Sequence, residues 1–147
     1  MKVCIIGAGA IGGFIGTRLA AAGRAEVSTV ARGATLSALR QHGWRMKTGD
    51  TLLRANARAS DSPAELGLQD LIVIAVKGPA LTAAAKDIAP LLGPDTLVLP
   101  AMNGVPWWFC RGVPGFGDAP LQSVDPGGIV ARAIPQAHVV GCVVHAS

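Results

Sequence analysis

Apolar residues along this chain keep two different rhythms. Val3-Cys4-Ile5-Ile6 and Leu71-Ile72-Val73-Ile74-Ala75-Val76 are unbroken apolar runs, as expected of strands covered on both faces of a parallel sheet. Other stretches repeat at helical spacing. Residues 10–22 predict a helix with Ile11, Phe14, Ile15, Leu19 and Ala22 on one stripe and Gly23 as its stop. Glu26 to Val30 reads as a short strand, and Thr35 to Gln41 as a short helix ending near Gly43 with Leu36 and Leu39 inward. Trp44–Lys47 and Thr51–Ala57 flank Thr48-Gly49-Asp50, a hairpin pattern whose second arm is a candidate for the third parallel strand. Ser62-Pro63-Ala64-Glu65 has the makings of a helix start, with an N-cap serine, proline at the first helical position and a glutamate to close a capping box.

After the Leu71–Val76 run, Pro79 opens a predicted helix carrying Leu81, Ala84, Ala85, Ile88, Leu91 and Leu92, ended by Gly93-Pro94. Thr96 to Leu99 is a fifth strand. From Val105 to Pro120 glycines and prolines interrupt any period, and Trp107-Trp108-Phe109 stand together at the start of that stretch. Pro126 to Ile134 reads as helical and Val139 to Val144 as a last strand, after which the sequence stops at Ser147. Strands alternating with helices predict a Rossmann-like α/β fold, a doubly wound, mostly parallel sheet with helices on both faces and the first strand central.

Composition narrows the class. At 147 residues, half hydrophobic and 15% charged, the chain is one domain with a real core and not a disordered segment. No apolar run approaches the about 20 residues that cross a bilayer, and the glycine-broken N-terminus lacks the marks of a signal peptide. The expectation is therefore a cytoplasmic protein with no membrane partner. Cys4, Cys110 and Cys142 are odd in number and far apart, which argues against a disulfide framework or a metal site. The net charge of +4 suits an anionic cofactor or simply a mildly basic surface. No Lys/Arg cluster with interleaved aromatics points to nucleic acid.

The chemistry concentrates at strand ends. Directly after the first strand comes Gly7-Ala8-Gly9-Ala10-Ile11-Gly12, a G-x-G-x-x-G at a strand-to-helix handover. There the glycines allow a tight turn, close backbone approach to a pyrophosphate and close helix–strand packing. The helix that follows aims N–H groups at the phosphates. Sites for NAD or FAD place an acidic residue about 20 positions after this loop. Here that region is Val30-Ala31-Arg32-Gly33, with no carboxylate, which argues against FAD. Arg32 can instead meet the 2′-phosphate of NADP(H), or it is a solvated surface arginine. Lys77, after the fourth strand, can hold a carboxylate or polarise a carbonyl, or simply reach solvent. Asn103 in Asn103-Gly104 is first a turn signal, though the same place lies beside the nicotinamide end. His42, His138 and His145 have no partner spacing; His145 either faces the crevice or sits on the surface.

Taken together, Gly7-Ala8-Gly9-Ala10-Ile11-Gly12-Gly13, Ala31-Arg32-Gly33, Asp70 to Lys77, Asn103-Gly104-Val105, Asp125 to Val130 and His138 to Val143 resemble the ketopantoate reductase (2-dehydropantoate 2-reductase) family along nearly the whole chain. The resemblance implies an N-terminal NADP-binding domain, followed in the family by a helical domain. It implies NADPH-dependent reduction of 2-dehydropantoate to pantoate, on the route to pantothenate and coenzyme A. By the same resemblance Gly7 to Gly12 bind the pyrophosphate, Arg32 binds the 2′-phosphate, Lys77 lies near cofactor and substrate, and Asn103 contacts both. Met102 departs from the polar residue the family often carries before Asn-Gly.

The family's general-acid lysine lies in the helical domain, so it is expected beyond Ser147, with no catalytic residue in these 147 positions and little turnover from them alone. The alternatives are an NADP-dependent reductase of another 2-oxo or β-hydroxy acid and a non-catalytic dinucleotide-binding module. The expected partner is a small 2-oxoacid. The face left by a missing domain is open to pairing as a homodimer.

Overall fold

The chain runs β1 (Lys2–Ile6), α1 (Ala10–Ala22), β2 (Glu26–Val30), α2 (Gly33–His42), β3 (Trp44–Thr48), β4 (Thr51–Ala55), β5 (Arg58–Ser60), β6 (Leu71–Ile74), α3 (Leu81–Lys86), β7 (Leu97–Pro100) and α4 (Ile129–Ala133), with short 3-10 turns in some of the connections after β5. These elements come from a computed structural model in which residues 1–117 and 119–145 are described; Ser147, where the sequence stops, lies outside the described residues. Five strands form one parallel sheet in the order β5-β2-β1-β6-β7, and β3 pairs with β4 as a separate antiparallel hairpin. β1 is central, as right-handed crossovers on both sides of it require.

The continuous apolar runs are explained by two cores. Cys4 and Ile6 of β1 face one side, with Ile72 and Ile74 of β6, and pack against Leu81, Ile88, Leu91, Val130 and Ile134. Val3 and Ile5 face the other, with Val27 and Val73, and pack against Leu36, Leu39 and Trp44. Alternation along a strand sends successive side chains to opposite faces, so a strand buried on both sides can be apolar at successive positions. Polar residues inside β2 are satisfied locally: the Thr29 hydroxyl donates to the Ile5 carbonyl at 2.8 Å.

Several elements differ from the sequence expectation. In α1 the residues fully buried are Gly12, Gly16 and Thr17, while Phe14 is exposed and lies under the Arg18 guanidinium. The helix meets the sheet through its smallest residues, because close approach of the backbone outweighs the larger stripe; Ile11, Ile15 and Leu19 are half-buried at its flank. A Cβ on Gly16 would stand 2.7 Å from Trp44 Cζ3, so the buried indole fills the space the glycine leaves.

The hairpin's second arm does not continue into the sheet. β4 ends at Ala55, and β5 pairs with β2 as a separate parallel strand. The capping box at Ser62 does not form: Pro63–Glu65 is a single 3-10 turn, and Glu65 instead accepts the Ser60 hydroxyl at 2.6 Å. The helix predicted to run from Pro79 to Leu92 is broken into a 3-10 turn at Gly78–Ala80, α3, and another turn at Ala89–Leu91. Pro90 has no N–H to continue the ladder and disfavours helix at Ala89, yet Leu81, Ala85, Ile88 and Leu91 are all buried.

The helical stretch from Pro126 to Ile134 is kinked at Gly127, at φ 68°, and α4 starts only at Ile129. The buried Asp125 carboxylate caps it, accepting from Val130 N at 2.8 Å and Ala131 N at 2.9 Å. The strand expected over Val139 to Val144 is a single parallel bridge, Val98 to Val139, held by Val140 N donating to Val98 O at 2.8 Å. The next rung would need an N–H from Pro100, which proline lacks. Among the described residues no helix is long and apolar enough to cross a membrane.

Candidate functional site

β1, β2 and β6 all end at the same edge of the sheet, and the loops leaving them border a groove of about 290 Å3. Ligands of open α/β sheets bind at this edge, where the strand order reverses direction. Here that point lies between β1 and β6: from β1 the chain runs outward to β2 and β5, then crosses to β6 and β7 on the other side.

Each glycine of the loop meets a different physical demand. Gly7 turns the chain at φ +94°, and a Cβ there would stand 2.7 Å from Val76 Cγ1 and 3.0 Å from the Ala75 carbonyl oxygen. A Cβ on Gly12 would collide with the Gly7 carbonyl and stand 3.0 Å from Ile5 Cγ2. Gly12 is thus the contact that lets α1 lie close on β1, and it lines neither groove described here. At Gly9 a Cβ would meet no protein atom within 4 Å. Its open face looks into the groove, in front of the first turn of α1.

That turn has no side-chain cap and no acidic residue. Its leading N–H groups lack intrahelical acceptors, and the positive end of the helix dipole is not neutralised locally. Free N–H groups, open space and positive potential fit a pyrophosphate. Gly7 and Ala8 border the first groove; Ala10 and Ile11 border a second, of about 530 Å3, and Gly9 borders both.

Arg32 stands just past β2 as the residue before α2, with its side chain 64% exposed on the rim of the first groove. No carboxylate of the local sequence stands beside it. The tertiary fold supplies one: Asp87, just after α3, forms an ion pair with Arg32 across the groove. Sequence reasoning missed this residue, which is 55 positions away. The faint signal available was an aspartate at a helix C-terminus, where the dipole disfavours negative charge.

The second groove brings Lys77 and Asn103 together with Gly9, Ala10 and Met102. Lys77 follows β6 and is exposed, with no ion-pair partner among the described residues. Asn103 sits in the turn after β7, ahead of Gly104 at φ +108°. Its carboxamide is clamped to the chain's last extended segment: Nδ2 donates to Val144 O at 2.9 Å and Val144 N donates to Oδ1 at 2.8 Å. A primary amide has a second N–H and a second lone pair, so this clamp orients the group without using it up. Beyond Met102 and Asn103 lies an apolar cavity of about 430 Å3, lined in part by Trp107, Trp108 and Val143. Trp107 is buried in the core, edge-on to Trp108 at 4.5 Å between centroids.

The histidines stay outside the site. His138 Nδ1 lies 2.8 Å from Thr96 O, and His145 is exposed on the final segment. Cys4 is buried within the central strand β1, and burial pushes its thiol up to about 11 against smaller opposing hydrogen bonds at Ser28 and the Val30 backbone.

Comparison with known proteins bears directly on this geometry. Residues 3–106 match the family model described as ketopantoate reductase PanE/ApbA. A 2-dehydropantoate 2-reductase from Mesorhizobium japonicum is 46% identical over 146 residues, covering 99% of this chain and 45% of that protein. One from Pyrococcus horikoshii is 36% identical over 108 residues, covering 71% of this chain and 34% of that protein. A crystal structure from Ralstonia solanacearum MolK2, described as a ketopantoate reductase, superposes with a TM-score of 0.93 at 50% identity, over 99% of this chain and 45% of the other. This chain thus covers 34–45% of the length of those relatives. It belongs to the ketopantoate reductase PanE/ApbA family, of which it carries the N-terminal portion.

Proposed function

We propose that this chain is the NADPH-binding domain of a reductase that converts 2-dehydropantoate to pantoate. The observation that carries the reading is the layout of the first groove. An open glycine face at the head of α1 is followed, past the end of β2, by Arg32 and not by a carboxylate. The main-chain N–H groups of the Gly7–Gly12 loop would hold the pyrophosphate, with Gly12 keeping α1 close. Arg32 would take the 2′-phosphate by charge-assisted hydrogen bonds. When bound, NADPH supplies the hydride. Lys77 stands in the second groove, suited to hold the substrate carboxylate or polarise its carbonyl. Asn103, oriented by Val144, would position cofactor and substrate there. The family resemblance puts the proton donor in the helical domain, outside these residues.

Replacing Arg32 with alanine tests this reading. A charge-assisted contact is worth about 1.5–3 kcal/mol, or about tenfold to a hundredfold in affinity. The expected result is that NADPH binding weakens by that factor while NADH binding hardly moves. Equal loss of both would refute the NADP assignment.

A second reading of the substrate has its own support. Met102 and the Trp-lined cavity beside Asn103 make an apolar surround, which favours a 2-oxoacid with an apolar side chain. Comparing kcat/KM for 2-dehydropantoate and for branched and aromatic 2-oxoacids in the full-length gene product decides between the two.

A further inference from the structure

We propose that Asp87 is a specificity-determining residue of the cofactor groove, an internal competitor that occupies Arg32 and narrows the preference for NADPH over NADH. The inference rests on the NADP reading given above and concerns how strongly that reading is expressed.

Arg32 and Asp87 reach the same groove from opposite walls, one from the end of β2 and the other from the end of α3. Among the described residues they are its only charged lining residues. Each forms no other ion pair among the described residues. Asp87 also stands where local rules disfavour an acid, just past a helix whose exposed carbonyls carry partial negative charge. Its ion pair with Arg32 accounts for its position there.

The consequence follows from charge. With Asp87 in place, the Arg32 end of the groove is close to neutral. A phosphate monoester of about −1.5 to −2 charge must separate the pair and then remain near a carboxylate of its own sign. The ribose of NADH brings hydroxyls to the same place, which can donate to a carboxylate. Both partners are partly exposed, at 64% and 41%, so water screens the effect and keeps it moderate.

The test is calorimetric titration of the full chain with NADPH and NADH, for wild type, Asp87→Asn, Asp87→Ala and Arg32→Ala, with thermal midpoints to confirm folding. Asp87→Asn keeps the shape and removes the charge. It is expected to tighten NADPH by about three- to tenfold and to leave NADH within about twofold, with Asp87→Ala moving in the same direction. An NADPH affinity that is unchanged or weaker in both Asp87 variants overturns the proposal, as does a result in which only NADH binding changes. The Arg32→Ala arm separates the two ideas. Equal loss of both cofactors there overturns the NADP reading, and the assignment of Asp87 falls with it. Selective loss of NADPH there, with no gain in Asp87→Asn, overturns the Asp87 assignment alone.

Discussion

Gly9 and Gly12 are three residues apart in one motif, yet alanine at the two positions should fail for opposite reasons. At Gly9 the added methyl meets no protein atom within 4 Å. Its backbone is extended with a negative φ of −76°, so no left-handed conformation stands against a side chain. The cost to folding is only that of a poorer N-cap, about 0.5 kcal/mol. The methyl would stand in the groove, before the N–H groups that should receive the pyrophosphate. Losing one or two charge-assisted hydrogen bonds, at about 1.5–3 kcal/mol each, weakens NADPH by at least about tenfold.

At Gly12 the methyl runs into the Gly7 carbonyl and crowds Ile5 Cγ2 at 3.0 Å. α1 must then lift off β1. Overpacking of this kind costs about 1–3 kcal/mol, offset in part by alanine's better helix propensity, about 1 kcal/mol. Urea unfolding and NADPH titration of both variants read the two effects separately. Gly9→Ala should lose binding and keep stability, whereas Gly12→Ala should lose stability. Wild-type NADPH affinity in Gly9→Ala would show that the pyrophosphate does not sit at the head of α1. A stability loss above about 2 kcal/mol there would show that the face is not open.

Two further outcomes are expected. Because burial holds the Cys4 thiol up at about 11 from an ordinary value of 9.0, the folded chain keeps a proton between those pH values that the unfolded chain releases. Stability should therefore fall across that window, by about 2 to 3 kcal/mol; urea midpoints at pH 8 and pH 10.5 should show a drop that Cys4→Ala reduces, and an equal drop in the variant would refute it. The chain alone should bind NADPH yet reduce 2-dehydropantoate about 10²–10⁴-fold more slowly than a full-length 2-dehydropantoate 2-reductase of the family, the usual contribution of a positioned proton donor; comparable turnover, followed by NADPH absorbance, would place the donor within these residues.

Sequence by itself determined the parts of this protein governed by near-neighbour rules. A strand buried on both faces favours apolar residues at successive positions, so β1 and β6 were legible, and so was the parallel sheet they imply. The glycine loop was legible because a tight turn and a close helix–strand contact admit no side chain. Arg32, Lys77 and Asn103 could be picked out because parallel strands bring their carboxyl ends to one edge.

Tertiary structure decided what depends on residues distant along the chain. α1 settled on glycine and threonine because the approach of its backbone to β1 is controlled from the sheet side, and Phe14 was left outside. The final segment stopped pairing after Val139 because Pro100, on the neighbouring strand, has no N–H to give. Asn103 acquired an orienting partner in Val144, 41 residues on. Above all, the carboxylate missing from the end of β2 reappeared as Asp87 from another helix. An ion pair acts through space, so no spacing in the sequence announces it.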